Sequence, residues 1–379
     1  MRVYLDNAAT TPVDPKVVQA MVPVLTETYG NPSSIHAKGR EARALIETSR
    51  KQIAKYFNAS PAEFFFTSGG TEADNMILRC AVHDLGVTRI ITSAIEHHAV
   101  LHTAEELAAN DGIVLELVKL DAEGAIDLAH LEELLKDTTN KTIVSLMHGN
   151  NEIANLLPLE KVGAMCKEYN ALFHSDTVQT MGHYELDFKK LNMHFATCAA
   201  HKFHGPKGIG FMYVNADYKL KPMITGGAQE RNMRAGTENI HGIVGLAMAV
   251  ELAHEDMEGH QKYVTDLKMY MVDQLKASIP DVHFNGQSAS KDSLYTVLSV
   301  CFPPNDMGDM FLYNLDIEGI CASGGSACSS GSNVGSHVLR AIGSVMERPS
   351  IRFSFSRFNT KQDVDHVVTV LKELYAVPA

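Results

Sequence analysis

The sequence contains no Cys-x-x-Cys pair and no dense cysteine framework. Such frameworks stabilise small secreted domains and hold structural metals, so their absence is typical of reduced thiols. Free cysteine commonly packs as a small hydrophobic side chain. We therefore expect five of the six cysteines to be inert packing residues, namely Cys80, Cys166, Cys198, Cys301 and Cys321.

Basic runs, long apolar segments and internal repeats are absent as well. Lys and Arg number 33 against 45 Asp and Glu, which gives a net charge of -12, and no cluster of basic residues could follow a phosphate backbone. No segment approaches the roughly 20 apolar residues of a membrane span, and Met1–Asn7 has no apolar stretch of signal-peptide length. We expect a cytoplasmic protein that binds neither nucleic acid nor membrane directly.

The composition that is present suits a large α/β protein. The 379 residues are 45% hydrophobic and 21% charged, enough for a large core and two domains. Between residues 63 and 214, short β-branched or aromatic runs alternate with helical segments, which predicts a mostly parallel sheet. The seven predicted strands are Glu63–Thr67, Arg89–Ser93, Ile113–Val118, Thr142–Met147, Ala171–Ser175, His194–Ala199 and Ile209–Val214. The clearest helices between them are Thr71–Leu85, Ala99–Ala109 and Leu159–Tyr169.

The pattern changes after residue 240, where a smaller α+β domain is predicted. Two long helical patterns come first, and a closing helix ends the region. The predicted helices are Ile240–Met257, Gln261–Ser278 and Lys361–Tyr375. The predicted strands are Val282–Phe284, Tyr295–Phe302 and Ile351–Phe355.

The most informative segment runs from Ala199 to Gly210, where His201 and Lys202 precede a Gly/Pro-rich turn. A lysine forms a Schiff base only when part of it is neutral, and burial among polar groups lowers its pKa. The segment therefore predicts a buried lysine that holds an aldehyde cofactor. His201 and His204 are three residues apart, so a metal site is an alternative. This alternative fits zinc poorly, because a lysine lies between the histidines and no third ligand is clustered with them.

Polar residues follow the predicted strands, at the edge of an α/β sheet where ligands bind. Residues 68 to 72 read Ser-Gly-Gly-Thr-Glu at the start of a helix, which predicts a phosphate site or a plain loop with an N-cap. Asp176 follows another strand, where a buried acid can keep the ring nitrogen of a heterocycle protonated. The alternative for Asp176 is an N-cap of the turn that follows.

Other residues carry two interpretations each. His97 is either catalytic or a surface or helix-capping histidine. Arg352 alternates with apolar residues on a strand, so it either faces a substrate carboxylate or forms a structural salt bridge. Arg231 and Arg234 lie in an anion-binding loop or a solvated one. Cys328 differs, because its Gly/Ser-rich surroundings predict an accessible thiol.

Three segments give the chain a specific resemblance: Tyr4–Pro12, Gly30–His36 and Arg352–Ser354. The chain resembles the cysteine desulfurases of the NifS/IscS-like group, within the class V aminotransferase family that uses pyridoxal 5′-phosphate (PLP). The resemblance implies the α/β PLP-dependent transferase fold type I, with a seven-stranded large domain at 15–257. Residues 1–14 and 258–379 would form the small α+β domain.

The resemblance also implies roles for residues around the cofactor ring. Lys202 is implied to be the Schiff-base lysine, Asp176 to pair with the pyridine nitrogen and Gln179 to contact the ring hydroxyl. His97 is implied to stack on the ring and to shuttle a proton.

For the cofactor phosphate, the implied ligands are Gly70, Thr71 and His201, with Thr237 reaching over from the second subunit of a homodimer. Relatives of this kind often carry serine where this chain has Ala199, which removes one hydroxyl from the phosphate site. We expect weaker cofactor retention as a result.

For the substrate, Asn151 and Arg352 match positions that receive the carboxylate of L-cysteine, and Cys328 matches the sulfur acceptor. The implied reaction yields L-alanine and a persulfide on Cys328, whose sulfur passes to acceptor proteins such as an iron–sulfur scaffold, or to thio-cofactor or tRNA synthesis. The long loop from Cys328 to His337 fits that transfer. The alternatives are a selenocysteine lyase or a class V aminotransferase and, more distantly, a non-enzymatic metal-binding scaffold.

Overall fold

A computed structural model describes residues 1–304, 310–324, 335–344 and 348–376. Its strands are β1 (Val3–Tyr4), β2 (Phe64–Thr67), β3 (Arg89–Ser93), β4 (Val114–Val118), β5 (Thr142–Ser145), β6 (Leu172–Asp176), β7 (Phe195–Ala199), β8 (Gly210–Val214), β9 (His283–Phe284), β10 (Val297–Cys301), β11 (Ile320–Cys321) and β12 (Ser350–Ser354). Its helices are α1 (Pro15–Glu27), α2 (Ala37–Tyr56), α3 (Gly70–His83), α4 (His98–Asp111), α5 (Leu128–Leu135), α6 (Leu159–Glu168), α7 (Ile240–Glu255), α8 (Met257–Ser278), α9 (Phe311–Ile317), α10 (His337–Ala341) and α11 (Lys361–Ala376).

The seven predicted strands of the first region all form, and they lie in one sheet. The strand order is β2-β8-β7-β6-β5-β3-β4. Strand β8 runs antiparallel to β2 and β7, and the other neighbours are parallel, which confirms the mostly parallel sheet. All residues of β2, β3 and β5 to β8 are buried, whereas the edge strand β4 is partly exposed.

Helices cover both faces of this sheet, which explains the continuous apolar strands. One face packs against α1, α2, α5, α6 and α7 through side chains such as Ile53, Leu131 and Leu246. The other packs against α3 and α4 through side chains such as Ile77 and Leu107. Helices α1, α2 and α5 were not among the predicted elements.

A second, smaller set of strands lies beside the large sheet. Strands β9, β10 and β12 form an antiparallel sheet, and β1 pairs with β11 in parallel. Val3 and Leu5 share a core with Leu267, Met271 and other residues of α8, β10 and α11. The first residues of the chain therefore pack with its last third. The domain boundaries inferred from the sequence stay a prediction.

The cysteines within the described ranges are free thiols. Cys80, Cys166, Cys198 and Cys301 are buried, as expected of packing residues, and Cys321 is half-buried. Burial raises the pKa of the Cys80 and Cys166 thiols to about 12, which keeps them protonated. Cys328 lies outside the described residues.

Among the helices that the structure describes, none has the length and apolar character needed to cross a lipid bilayer.

Candidate functional site

Lys202 lies in a short turn of helix, residues 200 to 202, that follows β7 at the carboxyl end of the sheet. Its Nζ donates to the backbone carbonyls of Ala8 at 2.6 Å and Ala9 at 3.0 Å. The side chain is half-buried. These two hydrogen bonds hold the amine against the N-terminal segment of the chain.

Asp176 is the last residue of β6, in the strand next to β7. Its Oδ1 accepts from the Val178 N–H at 2.9 Å and from the Thr197 hydroxyl at 3.4 Å. Burial, and then the nearby charge of Asp74, raise the pKa of Asp176 to about 6. The capping interpretation is correct in part, because Oδ1 accepts a backbone hydrogen bond in the turn that follows the strand. The other carboxylate oxygen, Oδ2, accepts no hydrogen bond from the described residues.

His97 caps α4, with Nδ1 accepting from the Ala99 N–H at 3.1 Å. Burial lowers the pKa of this imidazole. The charge of Lys202 lowers that pKa further, whereas the charge of Asp176 raises it in part. The ring is therefore neutral near pH 7, and its proton lies on Nε2 because Nδ1 is an acceptor. His97 is thus a helix cap that also lies within electrostatic reach of Lys202 and Asp176.

The predicted phosphate loop forms a cavity of about 370 Å³ at the N-terminus of α3. Gly69 is the N-cap and supplies no side-chain acceptor for the free N–H groups. Residues lining the cavity include Thr10, Gly70, Thr71, Glu72, His201 and Lys207. Unpaired N–H groups and the helix dipole favour an anion there. The structure thus brings three predicted phosphate ligands, Gly70, Thr71 and His201, to one cavity.

His201 and His204 do not form a metal site with other side chains of the described ranges, where no group of three or more His, Cys, Asp or Glu could hold an ion. His201 Nδ1 lies 3.2 Å from the Thr10 hydroxyl, and His204 Nδ1 lies 2.9 Å from the Pro12 carbonyl. Burial lowers the pKa of both imidazoles to about 4. Both rings are neutral hydrogen-bonding groups.

The N-terminal segment forms one wall of the site, a role that the sequence analysis did not assign to it. The Ala8 carbonyl accepts from Lys202 and also from Gln179 Nε2 at 3.0 Å. The N–H and the hydroxyl of Thr11 both donate to the His201 carbonyl at 2.9 Å. Residues far apart in sequence therefore hold each other in place around the lysine.

Arg352 and Asn151, the two residues predicted to bind the substrate carboxylate, lie in contact with each other. Arg352 is 2% exposed and donates to the Asn151 carbonyl and to Asp6 Oδ1, each at 3.0 Å. Ser323 donates to the same Asp6 oxygen at 2.8 Å. The Arg352 Nε is buried and makes no hydrogen bond with the described residues. Arg352 is thus salt-bridged, as one interpretation held, and keeps a donor for a further acceptor.

Thr237 is a predicted site residue that the structure does not place at the phosphate cavity. Thr237 is exposed and does not line the cavity at α3. Its predicted contact is with a second subunit, so that role stays a prediction. Cys328 falls outside the described residues.

Sequence reasoning missed Asp74, on the buried side of the first turns of α3. Asp74 is 1% exposed, and burial raises the pKa of its carboxyl to about 7. Its Oδ1 lies 3.5 Å from His174 Nε2, and it raises the pKa of Asp176. The available signal was its place one turn into α3, where a polar residue interrupts the apolar face.

Comparisons with known proteins give the family and the fold of this chain. The family model for class-V aminotransferases matches residues 3–367. The cysteine desulfurase IscS of Dictyoglomus turgidum is 41% identical over 98% of this chain and 94% of its own length. A NifS-like protein of known structure superimposes with a TM-score of 0.90, at 36% identity, covering 99% of this chain and 100% of its own. A structure of SspA in complex with cysteine has a TM-score of 0.81 at 30% identity, covering 94% and 99% of the two chains.

This protein belongs to the class-V aminotransferase family. Its fold is that of the NifS-like branch, which confirms the fold predicted from the sequence. The enzymes of this family depend on PLP.

Proposed function

We propose that this protein is a PLP-dependent cysteine desulfurase, which converts L-cysteine to L-alanine and places the sulfur on Cys328 as a persulfide. One observation carries the proposal: a lysine amine, a buried acid and a neutral histidine lie together beside an anion cavity at the carboxyl edge of the sheet. The curated relative from Dictyoglomus turgidum is named a cysteine desulfurase, and the SspA neighbour is a complex with cysteine.

The residues present fit PLP. The cavity at the N-terminus of α3 suits the phosphate, because its helix N–H groups have no capping side chain. Asp176 Oδ2 accepts no hydrogen bond from the described chain and suits the pyridine nitrogen. Lys202 suits the aldehyde and Gln179 the ring hydroxyl. When bound, PLP withdraws electrons from the α-carbon of the substrate.

Asp176 and Lys202 have complementary tasks in this proposal. Burial raises the pKa of Asp176 to about 6, because the carboxylate is poorly solvated there. A cationic partner stabilises such a carboxylate, so Asp176 holds the proton on the ring nitrogen. Lys202 takes the α-proton of the substrate at Nζ once that amine is free. The carbonyls of Ala8 and Ala9 keep Nζ in position for this transfer.

In this proposal His97 would help to hold the cofactor ring, and it would take the proton of the incoming thiol. In the described conformation its Nε2 carries the proton, since Nδ1 accepts from Ala99. Taking the proton from Cys328 therefore requires the bond from Ala99 to open, which frees Nδ1. Thiol deprotonation is needed because the thiolate is the nucleophile that attacks the substrate sulfur.

Sulfur leaves the enzyme for acceptor proteins such as an iron–sulfur scaffold, and the active form is a homodimer in which Thr237 of one subunit completes the phosphate site of the other. The exposure of Thr237 in the single chain supports this arrangement.

The proposal is tested by measuring alanine released from L-cysteine by the PLP-loaded protein, with a thiol reductant present. Turnover with stoichiometric sulfide is expected. Formation of 3-mercaptopyruvate and no alanine, when a 2-oxo acid is supplied to accept the amino group, would point to an aminotransferase instead.

Replacing Arg352 by lysine should raise KM for L-cysteine by about tenfold or more, because lysine cannot form a two-point pair with a carboxylate. PLP affinity should not change, since Arg352 contacts Asn151 and Asp6 and not the phosphate cavity. Steady-state kinetics and a PLP titration measure both quantities. Arg348→Lys, at an arginine paired with Asp281, is the matched control and should leave KM unchanged. A normal KM in Arg352→Lys would remove Arg352 from the substrate site.

Replacing Ala199 by serine should improve PLP retention. A Cβ built on Gly70 would lie 3.9 Å from the Ala199 Cβ, so the new hydroxyl reaches the phosphate loop. One added hydrogen bond contributes about 1 kcal/mol, or roughly fivefold in affinity. The measurement is PLP absorbance remaining after parallel dialysis of the two proteins. Equal retention would show that the serine makes no phosphate contact.

A further inference from the structure

Arg234 is bound to the phosphate loop through Glu72. Arg234 Nε donates to Glu72 Oε1 at 2.8 Å, and its NH2 group lies 3.3 Å from Oε2. The Glu72 Oε2 also accepts from the Ser68 N–H at 2.9 Å. Both side chains are largely buried, at 23% and 10% exposure for Arg234 and Glu72. The arginine therefore reaches the Ser68–Thr71 loop by way of one carboxylate.

The segment that carries Arg234 is fixed by a second ion pair. Glu230 accepts two hydrogen bonds from Arg50, at 2.8 and 2.9 Å, and a third from the Phe66 N–H of β2 at 2.9 Å. Glu230, Arg231 and Asn232 all have positive φ, at 40°, 57° and 65°. Three consecutive non-glycine residues in this region are costly, so the surrounding contacts must hold them there. The backbone before Arg234 is thus held against β2, the strand that leads into the phosphate loop.

The charge of Glu72 needs this partner. Among the described residues that line the cavity at α3, Glu72 is the only acid. An unpaired carboxylate in the first turn would repel a phosphate bound at the same helix terminus. Burial alone would raise the pKa of Glu72, but hydrogen bonds from Arg234 and Ser68 lower it, so the group is a carboxylate at neutral pH.

We propose that Arg234 is a positioning residue for the cofactor phosphate, which acts by neutralising Glu72 and fixing its carboxylate on the Ser68 N–H. This inference rests on the proposed function, because it takes the phosphate of PLP as the ligand of the cavity. The sequence suggested that Arg234 lies in an anion-binding loop or in a solvated one. Neither description fits, because its guanidinium pairs with the Glu72 carboxylate instead of a bound ligand or solvent.

The test compares the affinities of four apo-proteins for PLP and for pyridoxal, which lacks the phosphate: wild type, Arg234→Gln, Glu72→Gln and the double variant. Arg234→Gln should weaken PLP binding by about tenfold, the scale of one lost charge-assisted interaction. The double variant should regain most of that affinity, because the repelling carboxylate is gone. Pyridoxal should bind all four proteins alike.

Arg231→Gln is the matched control. Arg231 lies in the same segment and pairs with Glu47 at 2.9 Å, away from the phosphate loop. It should leave PLP affinity unchanged, and thermal unfolding should confirm that every variant is folded.

Three results would overturn the inference: wild-type PLP affinity in Arg234→Gln, equal losses for PLP and pyridoxal, or no recovery in the double variant. Failure of the wild-type protein to bind PLP would instead refute the proposed function, and the inference with it.

Discussion

Substituting alanine for Lys202 should reduce alanine release from L-cysteine by at least about a thousandfold, within the range typical of a lost acid–base group. The same change should abolish the covalent link between the protein and PLP after borohydride reduction, because the amine that forms it is gone. The two hydrogen bonds from Nζ to the carbonyls of Ala8 and Ala9 contribute about 2 kcal/mol, so their loss alone should leave the protein folded, which thermal unfolding of the variant checks.

The measurements are the alanine assay and the mass of the borohydride-reduced protein. Lys190→Ala, at a surface lysine paired with Glu160, is the control and should behave like the wild type. A reduced PLP adduct in Lys202→Ala would place the cofactor on another lysine and overturn the assignment.

Replacing Cys328 by alanine should abolish alanine formation from L-cysteine, in the presence of reductant, while PLP binding stays at the wild-type level. The thiolate of Cys328 is proposed to attack the substrate sulfur, and alanine has no nucleophile. None of the cofactor contacts proposed above involves this residue. The assay is run on both proteins side by side, with the PLP absorbance of each recorded first.

Cys321→Ala is the matched control for Cys328→Ala, because Cys321 is the half-buried thiol within the described ranges. It should keep full activity. Equal activity in Cys328→Ala would remove that cysteine from the mechanism. Activity of Cys328→Ala on selenocysteine but not on cysteine would favour a selenocysteine lyase.

Much of the large sheet could be predicted from the sequence, because strands that are buried on both faces consist of short, continuous apolar runs. All seven predicted strands form, and their ends differ by at most two residues from those observed, as with Thr142–Met147 against Thr142–Ser145. The strand-end rule then led to Asp176 and Gly70, since parallel strands bring their carboxyl ends to one edge. The helices α1 and α2 were missed, although α1 has an Asp14 cap and an N-terminal proline.

The dual interpretations were resolved by contacts that local pattern does not contain. Arg352 lies 346 residues from its partner Asp6, and Arg234 lies 162 residues from Glu72. Whether an arginine is salt-bridged or free depends on which carboxylate the fold places beside it. His97 and Asp176 both accept capping hydrogen bonds, and His97 also lies within electrostatic reach of Asp176 and Lys202, so a capping contact does not exclude the proposed roles of these residues.

The sequence by itself determined the fold class, the family and the residue types available for catalysis, because these depend on hydrophobic periodicity and on short motifs along the chain. The tertiary structure alone decided how the N-terminal segment holds Lys202, which charges are paired, and how burial shifts the pKa values of Asp74, Asp176 and His97. Those properties arise from distance and desolvation, which exist only once remote segments have packed together.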